Sequence, residues 1–360
     1  MNNSTVDLFT PITIGPNTLH NRMVMAPLTR NRAGEGNVPQ AMNVEYYRQR
    51  ASAGLIITEA TQISADGVGY PATPGIHSPE QIAGWKNVTG AVHDEGGLIF
   101  LQLWYCGRIS HPDLLPGHQQ PVSASAIRAE GEAVTFEGMK PFVEPRALET
   151  DELPGIVDQY RKAAINAKDA RFDGVEVHAA NGYLLDQFLR DSTNRRGDEY
   201  GGSIANRARL LNEVIDAVAE LWERSQIGVR ISPDNSFNDI HDSDPQALFN
   251  HVAEAMSAKQ LGYLHVVEGG FRGEHDVDYE QIRQRFNGYY MANLGYDQAK
   301  AQAAISNGHA DLVSFGTLFL ANPDLVARFK ANTDLNAPDE ATFYGGDEHG
   351  YTDYPFMETV

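Results

Sequence analysis

The sequence predicts an α/β protein folded as a (β/α)8 TIM barrel, with an N-terminal hairpin and a capping insertion after the third strand. Short apolar runs alternate with longer amphipathic segments, and this alternation occurs eight times. The length of 360 residues fits a barrel of about 250 residues that carries insertions. An open doubly wound sheet is the structural alternative, but no G-x-G-x-x-G follows the first run.

The predicted strands are short and rich in Val, Ile, Leu and aromatic residues, and they are bounded by Gly, Pro, Asn or charged residues. This composition is typical of strands buried on both faces of a parallel sheet. We expect them at Met23–Ala26, Leu55–Thr58, Leu98–Leu103, Gly174–Val177, Gly228–Ile231, Tyr263–Val267, Tyr289–Ala292 and Leu312–Phe315.

The segments between the strands have helical periodicity. Ser78 and Pro79 have the residue types of an N-cap and a first helical position, so a helix is expected to begin there. Further helices are predicted at Val44–Ala53, Leu153–Ala170, Ser203–Arg224, Asp244–Lys259, Tyr279–Phe286, Asp297–Asn307 and Pro323–Lys330.

Two regions interrupt the alternation, although residues 1–360 are expected to form a single domain. Residues 104–150 are too many for a simple connection and are interpreted as a capping subdomain. Within it, Ala133–Glu144 is expected to form a hairpin that turns near Glu137 and Gly138. The aromatic tail at 344–355 is expected to pack near the barrel mouth.

Composition disfavours several classes of function. The formal net charge of −20 disfavours binding to nucleic acids and to anionic membrane surfaces. The single cysteine, Cys106, cannot form an internal disulfide and is interpreted as a packed thiol. The first residues lack a signal-peptide pattern and no apolar run approaches the ~20 residues of a membrane span, so a cytoplasmic protein is expected.

Active sites of TIM barrels lie at the carboxyl ends of the strands, and the residues there are mostly neutral hydrogen-bonding groups. No lysine is placed for a Schiff base, and no His/Asp cluster suggests a metal. The pattern argues against aldolases, metal hydrolases and most glycosidases. The two acids at strand ends, Glu59 and Glu268, leave a flavin-free glycosidase-like barrel open as an alternative.

The densest group of polar residues follows the fourth strand, where His178, Asn181 and Tyr183 occur within six positions. Two N–H donors three residues apart can polarise one carbonyl or nitro oxygen, and a tyrosine beside them can donate a proton. The competing interpretation is that His178 caps the strand and that the other two are turn residues.

Arg230 lies inside an apolar strand, so its charge must be paired or must face a charged ligand. An ion pair with Glu176 or Glu59 is the alternative to ligand binding. The last two loops of such barrels often bind phosphate through backbone amides. Leu294, Gly295, Gly316 and Thr317 occupy these positions, although a glycine after a strand is more often a simple turn.

Longer motifs resemble the old yellow enzyme family of FMN-dependent ene-reductases, and look closest to its bacterial branch. The resemblance runs almost from end to end. It is carried by residues 8–11, 21–30, 46–61, 102–104, 107–108, 178–184, 193–203, 321–325 and 350–355.

The resemblance implies roles for particular residues in one FMN-binding barrel. His178 and Asn181 would bind the activating oxygen of the substrate, and Tyr183 would donate the proton. Tyr70, Trp104 and Tyr351 would line the substrate pocket, with core packing as the alternative. The residues implied to bind FMN are Pro27, Leu28, Thr29, Ala60, Gln102, Arg230, Leu294, Gly295, Gly316 and Thr317.

The implied reaction is ping-pong reduction, with NADPH or NADH as the reductant. The implied substrates are enones, enals, maleimides and nitroalkenes, with nitrate esters and nitroaromatics as further candidates. A non-catalytic protein that binds FMN weakly is a second alternative. The chain is expected to be a monomer or a small homo-oligomer.

One position departs from the family pattern. An arginine normally follows the glycine of the eighth strand and binds the FMN phosphate, but here that position is Thr317. A charge-assisted hydrogen bond is worth about 1.5–3 kcal/mol. The sequence therefore predicts an enzyme that loses FMN more readily than its relatives do.

Overall fold

The computed structural model describes residues 6–269 and 277–358. Its core is a closed barrel of eight parallel strands in chain order, in which the fourth strand pairs with both the third and the fifth. The predicted barrel and all eight predicted strands are confirmed, each boundary within one residue. The strands are β1 Met23–Met25, β2 Leu55–Ile57, β3 Ile99–Trp104, β4 Gly174–His178, β5 Ile227–Ile231, β6 Tyr263–Val267, β7 Tyr289–Asn293 and β8 Leu312–Phe315.

The amino-terminal end of the barrel is closed by the predicted hairpin, whose strands are Ile12–Ile14 and Asn17–Leu19. Its apolar side chains pack against residues from the bases of the barrel strands, including Phe100 and Tyr263. Gly228 on β5 makes room for Tyr263, because a Cβ there would lie 2.1 Å from the Cζ atom of that ring. This end of the barrel is therefore a packed core.

Helices surround the barrel, and none of those described combines the length and apolarity that a membrane crossing needs. Ser78 is the N-cap of the second helix, as predicted, since its side chain accepts from the Gln81 N–H at 3.2 Å. The predicted Ser203–Arg224 helix is two helices that meet at Ala208. The helices are α1 Ala41–Arg48, α2 Pro79–Asp94, α3 Leu153–Asp169, α4 Leu184–Leu189, α5 Ile204–Arg207, α6 Arg209–Ala219, α7 Pro245–Ala258, α8 Tyr279–Arg285, α9 Gln298–Ser306, α10 Thr317–Ala321 and α11 Leu325–Ala331.

The insertion between β3 and α3 forms a cap. Strands Glu132–Thr135 and Gly138–Pro141 make the predicted hairpin, which turns through residues 136–137, one position earlier than expected. Ala133 and Phe142 from this region share an apolar cluster with Trp104 at the end of β3. The cap therefore covers the carboxyl-terminal end of the barrel on the side of β3.

The carboxyl-terminal tail packs at the same end, as predicted. Gly345 donates its N–H to the carbonyl of Arg30 at 2.9 Å, just after β1. The Arg30 guanidinium in turn donates to the carbonyls of Gly350 at 2.8 Å and Phe343 at 2.9 Å. These bonds fix the tail against the loop that follows β1.

Candidate active site

A layer of polar side chains crosses the barrel near the ends of β3 to β8. Strand pairing places His178 beside Arg230, and Arg230 beside His265. Glu176 accepts a hydrogen bond from Gln102 Nε2 at 2.7 Å and lies 2.9 Å from His265 Nδ1. These groups come from four consecutive strands, so the layer can form only when the barrel is closed.

Glu176 and His265, the two buried ionisable partners in this layer, each have one protonation state at neutral pH. Burial lowers the pKa of His265 to about 4, with Arg230 contributing, so the ring is neutral and its Nδ1–H donates to Glu176. Burial raises the pKa of Glu176, but His265 and Arg230 outweigh it, and the net shift is downward. The Glu176 carboxylate therefore remains ionised and sets the tautomer of His265.

Arg230 is buried without a carboxylate partner among the described residues. Its Nη2 donates to Asn293 Oδ1 at 2.9 Å, and its Nη1 lies 3.0 Å from His265 Nε2. The alternative ion pair with Glu176 or Glu59 is wrong, because those carboxylates bind other groups. Burial lowers the pKa of Arg230 only to about 10, so it stays charged at neutral pH. A buried cation of this kind is suited to an anionic ligand.

His178, at the end of β4, presents a neutral imidazole. Burial, followed by the charge on Arg230, lowers its pKa to about 3. Its buried Nδ1 atom has no hydrogen-bond partner within the described parts of the chain. A buried polar atom of this kind costs free energy unless a ligand or water satisfies it, which makes His178 Nδ1 a candidate contact for a ligand.

Asn181 follows in the left-handed region, with φ +58°. Its N–H donates to Ser232 Oγ at 2.8 Å, and its side-chain Oδ1 accepts from Asn235 Nδ2 at 2.7 Å. Gly182 allows the loop after β5 to approach, because a Cβ at this residue would lie 2.8 Å from the Cβ of Asn238. The turn after β4 is thus fixed by the loop after β5.

Tyr183 lies in an aromatic group with two other predicted pocket residues. Its ring centre lies 5.0 Å from that of Trp104 and 5.2 Å from that of His178. Its hydroxyl is 3.1 Å from the hydroxyl of Tyr70, whose ring stacks on Trp104. Burial raises the pKa of Tyr183 well above its usual value, so the hydroxyl keeps its proton. Cys106 is buried in the same cluster, as expected of a packed thiol.

Tyr351 does not share the described contacts of this group, although the resemblance implies that it lines the same pocket. The ring is fully buried and stacks on Tyr46 at 4.1 Å between centres. Arg30 and Arg32 lie over its face, and its hydroxyl accepts from Asn43 Nδ2 at 2.8 Å. Its described ring contacts are with Tyr46, Arg30 and Arg32, and these contacts favour core packing over a pocket role.

The other predicted cofactor residues considered so far lie at or near the carboxyl ends of strands β1 to β3. Pro27, Leu28 and Thr29, just after β1, are partly exposed, whereas Ala60 and Gln102 are buried. Gln102 is oriented by the bond that its amide donates to Glu176. The residues at β1 therefore offer surface to a ligand, whereas Gln102 is held within the polar layer.

The loops after β7 and β8 are adjacent, because Asn293 pairs with Ser314. Leu294 and Gly295 both have left-handed backbones, with φ +84° and +70°. A leucine in this region is unusual and indicates a constrained loop. Thr317 begins α10 and is exposed, and the N-cap residue Gly316 has no side chain to cap this helix.

The two acids at strand ends do not form a catalytic pair. Glu268 accepts hydrogen bonds from Tyr290 at 2.8 Å and Tyr296 at 2.6 Å. Glu59 is bound to the Tyr47 hydroxyl at 3.3 Å beneath the loop after β1. Neither arrangement supports the glycosidase-like alternative, and the described residues contain no group of three metal-ligating side chains.

Several residues of the site were missed by sequence reasoning. His265 is hidden in an apolar run, although its position opposite Arg230 could have been found by aligning the strand ends. Ser232, Asn235 and Asn238 lie in a loop that sequence reasoning left undescribed, yet all three bind Asn181. Their position directly after the carboxyl end of β5, where the active sites of TIM barrels lie, is the sequence signal that could have found them.

Comparison with known proteins adds independent evidence. Residues 7–336 match the NADH:flavin oxidoreductase / NADH oxidase family. The chain is 44% identical to 12-oxophytodienoate reductase 1 of Oryza sativa subsp. japonica, covering 99% of this chain and 94% of the relative. It is 46% identical to a probable flavin mononucleotide-dependent alkene reductase of Leishmania infantum, covering 96% of each.

A solved structure of morphinone reductase in complex with tetrahydroNAD is 50% identical, with a TM-score of 0.94 and 98% of each chain covered. The fold and the family match agree along nearly the whole chain. The chain belongs to the NADH:flavin oxidoreductase / NADH oxidase family, that of the old yellow enzyme, and is an FMN-dependent enzyme that reduces activated alkenes with a nicotinamide reductant.

Proposed function

We propose that the substrates of this enzyme are enones, enals, maleimides and nitroalkenes, with nitrate esters and nitroaromatics as further candidates. The observation that carries this proposal is the neutral His178, whose Nδ1 lacks a described partner, beside the protonated hydroxyl of Tyr183. A neutral donor suits an uncharged carbonyl or nitro oxygen better than a carboxylate. The relatives named for alkene and 12-oxophytodienoate reduction support the same class.

The side chains at the carboxyl ends of the barrel strands fit FMN. Arg230 is a buried cation without a described carboxylate partner, and such a charge would stabilise an anionic ring system. Pro27, Leu28, Thr29 and Ala60 would flank the ring on the side of β1 and β2. When bound, FMN supplies a two-electron carrier that takes hydride from NADPH or NADH and gives it to the alkene.

Three residues would act on the substrate. His178 and Asn181 would donate hydrogen bonds to its activating oxygen, which draws electron density away from the β-carbon. Tyr183 would donate the proton to the α-carbon, since its hydroxyl stays protonated at neutral pH. Tyr70 and Trp104, packed around Tyr183, would set the size of the alkene that fits.

The phosphate of FMN would lie at the loops after β7 and β8. The backbone of Leu294, Gly295 and Gly316 would bind it, with Thr317 contributing a hydroxyl in place of a cation. Because neutral donors bind phosphate more weakly than a guanidinium does, the affinity for FMN would be lower than in relatives with arginine.

The absorption spectrum of the purified protein tests the proposal. The flavin bands should bleach anaerobically on addition of NADPH or NADH, and they should return when 2-cyclohexenone is added. A colourless protein that binds no added FMN would contradict the proposal, and so would a reduced flavin that no electron-poor alkene reoxidises. Binding of these alkenes without turnover would likewise contradict the proposed substrate class.

We propose that residues 1–360 act as one FMN-binding domain, with residues 104–150 as its capping subdomain. We further propose a cytoplasmic monomer or small homo-oligomer that binds neither nucleic acid nor membrane, given the net charge of −20. Sedimentation of the holoenzyme would establish its oligomeric state.

A further inference from the structure

We propose that Asn235 sets the direction of the Asn181 amide, so that its NH2 group, rather than its oxygen, faces the substrate. Asn235 is therefore a positioning residue that acts through Asn181. This inference rests on the proposed function, in which Asn181 donates to the activating oxygen of the substrate.

The direction is set by a backbone group at the start of a short chain of hydrogen bonds. The Phe237 N–H donates to Asn235 Oδ1 at 2.9 Å. A backbone N–H can only donate, so the end of the Asn235 amide that faces it must be the oxygen. The other end is then Nδ2, which lies 2.7 Å from the Asn181 amide and can only donate to it. The Asn181 atom at this contact must therefore be Oδ1.

The backbone of Asn181 is held by the same loop. Its N–H donates to Ser232 Oγ at 2.8 Å, and its carbonyl accepts from Asn238 Nδ2 at 2.8 Å. Three of the four polar atoms of Asn181 thus have partners in residues 232–238. Nδ2 remains as the donor without a partner among the described residues. The loop after β5 therefore leaves one polar atom of Asn181 available to a ligand.

Reversing the Asn181 amide would be unfavourable in two ways. It would place two NH2 groups against each other at the contact with Asn235, which is itself 2% exposed and shielded from water. It would also turn an acceptor towards the oxygen of the substrate, where a donor is needed. Asn235 thus determines which end of the Asn181 amide faces the substrate, as well as where that amide lies.

Asn235→Asp tests this directly. The aspartate keeps an acceptor for the Phe237 N–H but replaces the donor to Asn181 with a second acceptor, so the Asn181 amide should turn. At about pH 8, turnover with 2-cyclohexenone should fall roughly 10- to 100-fold. The reason is that the Asn181 oxygen would then face the substrate oxygen, where the Asn181 NH2 group donated before. Burial at this position should raise the pKa of the aspartate above its usual value of about 3.9. As pH falls towards about 5, its protonation restores a donor, and the ratio of variant to wild-type turnover should rise.

Asn235→Leu is the matched control. Leucine has a similar size but cannot titrate, so its turnover relative to wild type should not change with pH. FMN content and the thermal midpoint of each holoenzyme show whether the fold is retained. If Asn235→Asp does not fold, Asn235→Leu takes its place in a double-mutant cycle with Asn181→Leu.

A double-mutant cycle with Asn181→Leu separates this inference from the proposed function. Asn181→Leu alone should lower turnover, and adding the Asn235 substitution should then lower it no further. Full activity of Asn181→Leu would overturn the role of Asn181 in the proposed function. Impaired Asn181→Leu with unimpaired Asn235 variants would overturn this inference alone. An additive loss in the double variant, or a pH-independent loss in Asn235→Asp, would also overturn it.

Discussion

The hydroxyl groups of Tyr70 and Tyr183 lie 3.1 Å apart at the edge of the site, and Trp104 packs against both rings. Burial raises the pKa of each tyrosine, so both hydroxyls carry protons at neutral pH. Tyr70 is the more exposed of the two. Under the proposed function, Tyr183 would be the proton donor inside the site, and the neighbouring Tyr70 hydroxyl would return a proton to it.

Tyr183→Phe should separate the two halves of the reaction. Loss of the proton donor should slow reoxidation of the reduced enzyme by 2-cyclohexenone about 100-fold or more, the usual range for general acid catalysis. Reduction by NADPH needs no proton from Tyr183 and should change little. Anaerobic stopped-flow absorbance measures each half-reaction separately. Equal slowing of both would show that Tyr183 is not the proton donor, and Tyr70→Phe is the matched control, with a smaller effect.

Arg230→Met should lower the midpoint potential of the bound flavin. The guanidinium is charged and has no carboxylate partner among the described residues, so its charge is available to stabilise a reduced, anionic ligand. A tenfold loss of that preference corresponds to about 30 mV for a two-electron couple. Equilibration with a reference dye would measure the shift. An unchanged potential in a variant that retains FMN would contradict this role.

Thr317→Arg should tighten FMN binding roughly 10- to 100-fold by adding a charge-assisted bond to phosphate. Fluorescence titration of the apoprotein gives the dissociation constant. Riboflavin lacks the phosphate, so its affinity should stay the same. Thr317→Gln is the control, because it lengthens the side chain without adding charge. Equal FMN affinity in wild type and Thr317→Arg would refute the prediction.

The sequence predicted the barrel well, because strand periodicity depends on local burial and each run could be recognised alone. It also indicated Arg230 as a candidate site residue, since a charged side chain within an apolar strand is conspicuous. It could not predict that Glu176 would pair with His265 rather than Arg230, because partner choice depends on side-chain directions across three strands. The sequence also could not decide between a pocket role and core packing for Tyr351, because the arginines that contact its ring come from distant positions in the chain.

Glu59 should give the fold a characteristic pH dependence. Burial raises the pKa of this carboxyl from its usual value of about 4.5 to about 7 in the folded protein. Between these values the unfolded chain ionises while the folded protein keeps the proton, so stability falls as pH rises. Below about pH 4.5 the contribution is complete, and above about pH 7 no more is lost.

Glu59→Gln isolates this contribution, because glutamine does not titrate and the other groups cancel in the comparison. The free energy of unfolding of the wild type, relative to Glu59→Gln, should decrease by about 1.4 kcal/mol per pH unit between about pH 4.5 and 7 and then level off. Urea unfolding of both proteins in saturating FMN measures the difference. A difference that stays constant over this range would mean that Glu59 is ionised in the fold, where Tyr47 and the Arg30 N–H would then stabilise its charge.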